Sequence, residues 1–267
     1  MNDLTKNLLR VAFPTAASYL AAYRTRRHIA GIWGNFQQDF ARRLYGKRSP
    51  VVLSGPFEGM RYINDIVYGS ITPKWLGSYE AELHPVIEEI ISRGYHTIID
   101  VGAAEGYYLI GLARRMPGAI LYGFDTDPLA RRQQAQLDSL NGRQNVHIGG
   151  YCSPVWLEAY CQPGSLVICD IEGYELYLLS PKIVPALKDA DILVELHPFS
   201  PMSYPEVRRT IIDRFEATHH IERIAAQKKD EHFYNAVAGG LFSGEEMKEA
   251  LNEGRFPGQE WLWMRRK

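Results

Sequence analysis

Apolar positions along this chain recur at two spacings, and the switches between them predict most of its elements. The β-branched, apolar run Thr97, Ile98, Ile99 stops at Asp100. Gly102, Ala103, Ala104 and Gly106 follow, and apolar residues then recur at helical spacing to about Ala113. A buried strand, a turn of small residues and a helix result. Short apolar runs at Ala119–Phe124, Ser165–Asp170 and Asp191–Leu196 predict further strands. Their near-continuous apolar character suits a parallel sheet covered on both faces. Phe215–Ala225 and Glu260–Arg265 predict two last strands, and the helix between them starts at Ser243-Gly244-Glu245-Glu246, a capping-box spacing. Asp127 before Pro128 predicts the N-cap of a helix running to about Leu140. Strands alternating with helices specify an α/β sheet, whose ligands bind at the C-terminal ends of the strands.

Those ends carry acids. A dinucleotide turn needs G-x-G-x-x-G, whereas this turn has Ala104 between Gly102 and Gly106, with Asp100 two residues before the first glycine. A carboxylate there repels a pyrophosphate and suits an ammonium group. Asp125 ends the next strand, about twenty-five residues after Asp100, placed to accept hydrogen bonds from two ribose hydroxyls. The third strand runs into Asp170-Ile171-Glu172-Gly173-Tyr174-Glu175, followed by Leu178-Leu179, and the fourth into Glu195, His197 and Pro198.

Acid-x-Gly-x-x-x-Gly after a strand resembles motif I of class I S-adenosylmethionine methyltransferases. Taken with D-x-E-G-x-E plus a Leu pair, and with the strand leading to His197-Pro198, it is similar to the FkbM-type methyltransferases over about 95–199. The resemblance implies a Rossmann-like sandwich: a seven-stranded, mostly parallel sheet in that superfamily's order, here with an N-terminal helical extension. It implies S-adenosylmethionine as cofactor, held by Asp100, Gly102, Ala104, Gly106, Tyr107, Asp125 and Asp170. Two positions depart from the family pattern. Ile168 stands where the family usually has Lys, and Asp125-Thr126 where Glu-Pro is common, which leaves the substrate class open.

Composition and charge then divide the chain. Its 267 residues, 46% hydrophobic and 23% charged, suffice for one full α/β core. Residues 1–50 carry nine Lys/Arg against Asp3 and Asp39, a net +7, while the remainder is −8. The chain therefore reads as a basic helical extension at 1–50, a substrate-side cap with a helix at 51–94, and a cofactor-binding catalytic domain at 95–267. Val11–Tyr23 is the longest uncharged run of the extension, too short for the ~20 apolar residues of a membrane span, and no signal peptide is evident. The extension is expected to be a lid or dimer contact, or to attach peripherally to an anionic membrane or to a phosphorylated substrate carrier. Three cysteines without metal-ligand spacing suggest reduced thiols and a cytoplasmic protein. An acidic catalytic domain and no reader motif argue against nucleic acid as partner.

Asp170, Glu172 and His197 are the catalytic candidates. Methyl transfer to a hydroxyl needs a lone pair in line with the methyl, a dry pocket and a base, and either His197 or Asp170 is placed to be that base. Tyr79, Glu80 and Glu195 are expected to contact the acceptor. No ligand spacing enforces a metal; if magnesium or manganese binds, Asp170, Glu195 and His197, with Glu172 beside them, would hold it. The leading function is O-methylation of a sugar or other hydroxylated small-molecule natural product. The alternatives are a nicotinamide-dependent oxidoreductase and a non-catalytic cofactor-binding scaffold.

Overall fold

The structure, a computed structural model, describes residues 34–142, 145–198, 201–255 and 258–267. Helix α1 (34–45) leads into a loop-rich cap. The cap holds α2 (Thr72–Leu76), a 3-10 turn (Ala81–Leu83) and α3 (His84–Arg93). The sheet domain then runs β1 (Thr97–Val101), α4 (Tyr107–Arg115), β2 (Ile120–Phe124), α5 (Pro128–Leu140), β3 (Val146–Gly149) and α6 (Pro154–Tyr160). After these come β4 (Leu166–Cys169), α7 (Glu175–Leu178), β5 (Asp191–Glu195), α8 (Tyr204–Phe215) and β6 (His219–Ala225). Helices α9 (Glu231–Val237) and α10 (Gly244–Ala250) precede the last strand, β7 (Glu260–Arg266). The seven strands lie in the order β3-β2-β1-β4-β5-β7-β6, with β7 antiparallel to both of its neighbours and the other pairs parallel. The seven-stranded, mostly parallel sheet expected from the sequence is thus present.

Side chains alternate across a strand, so the apolar runs feed two cores at once. Ile98, Ile168 and Leu193 face the layer that holds α3, α4 and the cap, whereas Ile99, Val167, Ile192 and Val194 face the layer of α6 and α8. Burial on both faces is why β1, β4 and β5 read as unbroken apolar runs. Phe215 is a correction: it closes α8 rather than opening a strand, because Val207, Ile211 and Phe215, all fully buried, recur at helical spacing. Strand β3 has no such signal. It is an edge strand with His147 and Ile148 exposed.

The cap is locked to α4 by close packing. A Cβ on Gly111 would lie 2.6 Å from the Phe57 ring, and the Tyr62 hydroxyl donates to Glu105 at 2.6 Å. Helix α1 docks on the far end of the chain, with Phe40 stacked on Phe242 at 4.0 Å and Arg43 over the same ring while paired with Glu246. Residues 1–33, including the run Val11–Tyr23 and five of the nine basic residues of the extension, lie outside the described residues. Among the described residues, no helix is long and apolar enough to cross a membrane.

Candidate active site

A cavity of about 700 Å³ opens at the C-terminal ends of β1, β2, β4 and β5. Gly102, Asp125, Asp170 and Glu195 line it from the sheet, Tyr68, Lys74, Tyr79 and Glu80 from the cap, and Glu253, Arg255 and Gln259 from the loop before β7. Among the described residues, three non-glycine residues adopt a left-handed backbone: Glu80, Ala104 and Glu172, and all three are on this wall. Such conformations cost about 1–3 kcal/mol each and persist where the surroundings over-determine them.

The turn after β1 is tied to the tip of β2. Gly102 and Ala103 donate to the Phe124 carbonyl, and Ala104 N–H donates to the Asp125 carboxylate at 3.0 Å. Asp125 also accepts from Asp127 N–H at 2.8 Å, while Asp127 caps α5 through Leu129 N–H, as its place before Pro128 predicts. Burial outweighs the hydrogen bonds to Asp125 and pushes its carboxyl up to about 6. Gly102 closes a different contact. With φ at +87°, its missing Cβ would lie 1.6 Å from the Asp170 carbonyl oxygen, so this glycine joins the ends of β1 and β4 before any ligand enters.

Asp100, Gly106 and Tyr107, expected to bind the cofactor, are absent from the cavity wall. Strand β1 continues through Asp100 to Val101, so alternation sends the Asp100 side chain the same way as Ile98, under α4. There it is 3% exposed, and its Oδ2 is buried without a hydrogen-bond partner among the described residues. Burial, reinforced by Asp170 and Asp125, pushes it up to about 8. Gly106 is the N-cap of α4, and Tyr107 packs edge-on to Phe57, Tyr62 and Tyr79 in the aromatic core.

Asp100 gives the fold a pH dependence. A carboxyl raised from about 4 to about 8 binds its proton more tightly folded than unfolded, so its contribution is full below pH 4 and is lost as pH climbs to 8. Asp100→Asn mimics the protonated form, and thermal unfolding should show the variant gaining on the wild type at pH 8 relative to pH 5. An equal difference at both pH values would refute the assignment.

The other end of the cavity is an acid–imidazole cluster. His197 Nδ1 is 2.9 Å from Glu175 Oε1, a fully buried carboxylate that also accepts from Ile171 N–H. This contact turns Nε2 toward Glu195 Oε2 at 3.6 Å and toward Asp170 Oδ1 and Glu172 Oε2 at 3.7 Å. His197 is therefore buried directly behind three wall carboxylates and is not itself on the wall. Burial lowers its affinity for a proton, but the bond to Glu175 and the charge of Asp170 outweigh that and leave it raised. Burial pushes Asp170 up to about 6 and Glu195 well above the usual carboxylate range, with Asp170 beside it. Of the two, Asp170 is raised less and stays the stronger acid.

Tyr79 and Glu80 line the cavity. Glu80 is not free: it pairs with Arg255 and accepts from the Tyr108 hydroxyl, and burial pushes it up to about 7. Glu175, Lys74 and Arg255 also belong to this site and were not among the residues expected there. Glu175 was legible as the last acid of D-x-E-G-x-E, but Lys74 and Arg255 come from the cap and a late loop with no motif around them. Among the described residues, the trio with ligand atoms within 4.8 Å of one another is Asp170, Glu175 and His197. Glu175 takes the corner expected of Glu195, because the chain turns back at Glu172 and Gly173 into α7.

No family model matches the sequence, and no curated protein matches it. Among solved structures, the chain is similar to a ribosomal protein L11 methylase from Lactobacillus delbrueckii subsp. bulgaricus, with 15% identity over 75% of this chain and 81% of that one, TM-score 0.46. It is similar to an rRNA methylase from Streptococcus thermophilus, with 10% identity over 69% and 96% of the two chains, TM-score 0.46. A third is the O-methyltransferase TomG from Streptomyces achromogenes, in complex with SAM, with 14% identity over 70% and 80%, TM-score 0.45.

Proposed function

We propose that this protein is an S-adenosylmethionine-dependent O-methyltransferase acting on a hydroxyl of a sugar or another small-molecule natural product. One observation carries the reading: a single cavity holds Asp125 at the tip of β2, bonded to the turn after β1, and the Asp170–Glu195 pair, backed by His197 and Glu175, at its other end. The volume, about 700 Å³, falls within the ~300–1,000 Å³ of cofactor and small-ligand sites. The motif resemblance to FkbM-type enzymes supports a hydroxyl acceptor.

The bound cofactor supplies an activated methyl group. Asp125, fixed by Ala104 and Asp127, presents its remaining lone pairs to the ribose hydroxyls. Asp170 faces the cavity and takes the proton from the acceptor hydroxyl, its carboxyl near 6 being suited to a base at neutral pH. Glu195 lines the cavity near it, and the charge of His197, fixed by Glu175, favours the ionised Asp170 carboxylate before it takes the proton, without touching the acceptor. Tyr79 and Glu80 on the cap shape the acceptor end. Of the two candidate bases, Asp170 is favoured over His197, because the imidazole is behind the wall. Buried, unpaired Cys152, Cys161 and Cys169 support a cytoplasmic protein. Nucleic acid is not a partner in this reading, and the basic extension serves as a dimer or membrane-surface contact.

A second reading puts magnesium or manganese among Asp170, Glu175 and His197, whose ligand atoms are close enough to share one ion. Chelation followed by metal add-back separates the two: turnover is unaffected if Asp170 acts alone as base and collapses reversibly if an ion lowers the hydroxyl pKa.

Calorimetric titration with S-adenosylmethionine and NADH, alongside mass analysis of incubated hydroxylated acceptors, tests the function. Binding of the former alone with a gain of one methyl supports it; NADH binding favours an oxidoreductase, and binding without product a scaffold. Asp125→Ala should weaken S-adenosylmethionine about tenfold, since two lost hydrogen bonds of about 0.5–1.5 kcal/mol each sum to that range. Unchanged affinity would remove Asp125 from the site.

A further inference from the structure

Among the described residues, the cavity wall carries two cations, Lys74 and Arg255. Arg255 is committed: its guanidinium contacts Glu80, Glu82, Glu195 and Glu253. Lys74 has one carboxylate partner, Glu105, and its ammonium lies 4.6 Å from the centre of the Tyr79 ring. An ammonium has three donors, so the bond to Glu105 leaves two. Glu105 itself also accepts from the Tyr62 hydroxyl at 2.6 Å, so Lys74 is not its sole partner.

Lys74 comes from an otherwise apolar stretch. Trp75 and Leu76 beside it are fully buried, and Lys74 itself is 4% exposed. A buried ion pair is often replaceable by apolar groups of the same shape without loss of stability, so packing does not account for an ammonium at this point. Its place does. Glu105 belongs to the turn whose Ala104 N–H is bonded to Asp125, so Lys74 and Asp125 flank one turn, with Lys74 on the side of Tyr79. Lys74 and Asp125 line the same cavity, so a nucleoside ligand with its ribose on Asp125 would share that cavity with the ammonium.

We propose that Lys74 binds the α-carboxylate at the amino-acid end of the cofactor, with Glu105 and Tyr79 holding the ammonium in place. This rests on the cofactor reading above, and it makes the cap, rather than the sheet, the part that distinguishes an amino-acid-bearing nucleoside from a plain one. The abundant wall carboxylates suit the α-ammonium group and repel an unpaired carboxylate, which is why a cation with a single carboxylate partner and two donors left matters.

The test compares S-adenosylhomocysteine, which has the amino acid, with 5′-methylthioadenosine, which lacks it, by calorimetry. Lys74→Met combined with Glu105→Gln removes both charges together, so no buried carboxylate is stranded, and Glu105→Gln alone keeps the ammonium. The double variant is expected to lose about tenfold or more for S-adenosylhomocysteine, the scale of a charge-assisted hydrogen bond, with 5′-methylthioadenosine changed less than about twofold. Glu105→Gln alone, which keeps the ammonium and loses only one of its supports, is expected to lose clearly less for S-adenosylhomocysteine than the double variant. Equal losses for both ligands, no loss for either, or the same loss in Glu105→Gln alone would each overturn the assignment while leaving the cofactor reading intact. Failure of the wild type to bind either nucleoside would overturn both.

Discussion

Asp170→Asn is expected to bind S-adenosylmethionine within about twofold of the wild type and to lose a factor of about a hundred to ten thousand in kcat, the usual cost of removing a positioned base. The amide keeps the shape of the carboxyl but accepts no proton. The wild-type pH profile gives the sign. Asp170 must be ionised to act, so kcat/KM should fall as pH drops through about 6 and level off above it. His197 acts through Asp170: its charge favours the ionised carboxylate and opposes the effect of burial. In His197→Gln the acidic limb should therefore move to higher pH, a displacement that loss of packing alone would not produce. Single-turnover assays across pH 5–9 measure both effects. Undiminished turnover in Asp170→Asn would move the base elsewhere, with Glu172 and Glu80 the next wall carboxylates to replace.

Much of this site was legible because its residues follow strands that announce themselves. The runs at β1, β2, β4 and β5 are apolar on both faces, so the first polar residue after each, or its last, had to sit near the strand end: Asp125, Asp170 and Glu195 all reach the cavity. The same reasoning misplaced Asp100 by one residue. Nothing in TIIDV shows that the strand includes its acid, and a strand one residue longer turns that side chain under α4 instead of into the cavity. Tyr107 was misjudged through its neighbours, since a tyrosine at a helix start beside glycines looks ligand-facing until four other aromatic rings are found around it. Lys74, Arg255 and the partnership of Glu175 with His197 were out of reach for another reason. Each depends on segments far apart in sequence, as Arg255 does on Glu80, and no local spacing encodes such meetings.

Gly102→Ala should cost the protein its fold before it costs any ligand contact. The residue has φ at +87°, where a Cβ is strained, and that Cβ would lie 1.6 Å from the Asp170 carbonyl oxygen and 2.6 Å from the carbonyl carbon. Both are backbone atoms at the end of β4, one residue beyond the Val101–Cys169 pair, so neither swings aside as a side-chain tip would. Either β1 and β4 part at the cavity, or the turn gives up the hydrogen bonds of Gly102 and Ala103 to the Phe124 carbonyl. A penalty of about 3 kcal/mol or more follows from overpacking combined with a disfavoured backbone. At about 2–4 °C per kcal/mol for a chain of this size, the melting temperature should drop by roughly 6–12 °C. Gly118→Ala is the control, since a Cβ there meets nothing within 4 Å and leaves stability near that of the wild type. Scanning calorimetry of the two variants decides the matter. A Gly102→Ala protein that melts with the wild type but no longer binds S-adenosylmethionine would mean that this glycine serves the ligand directly and that the two strand ends have room to separate.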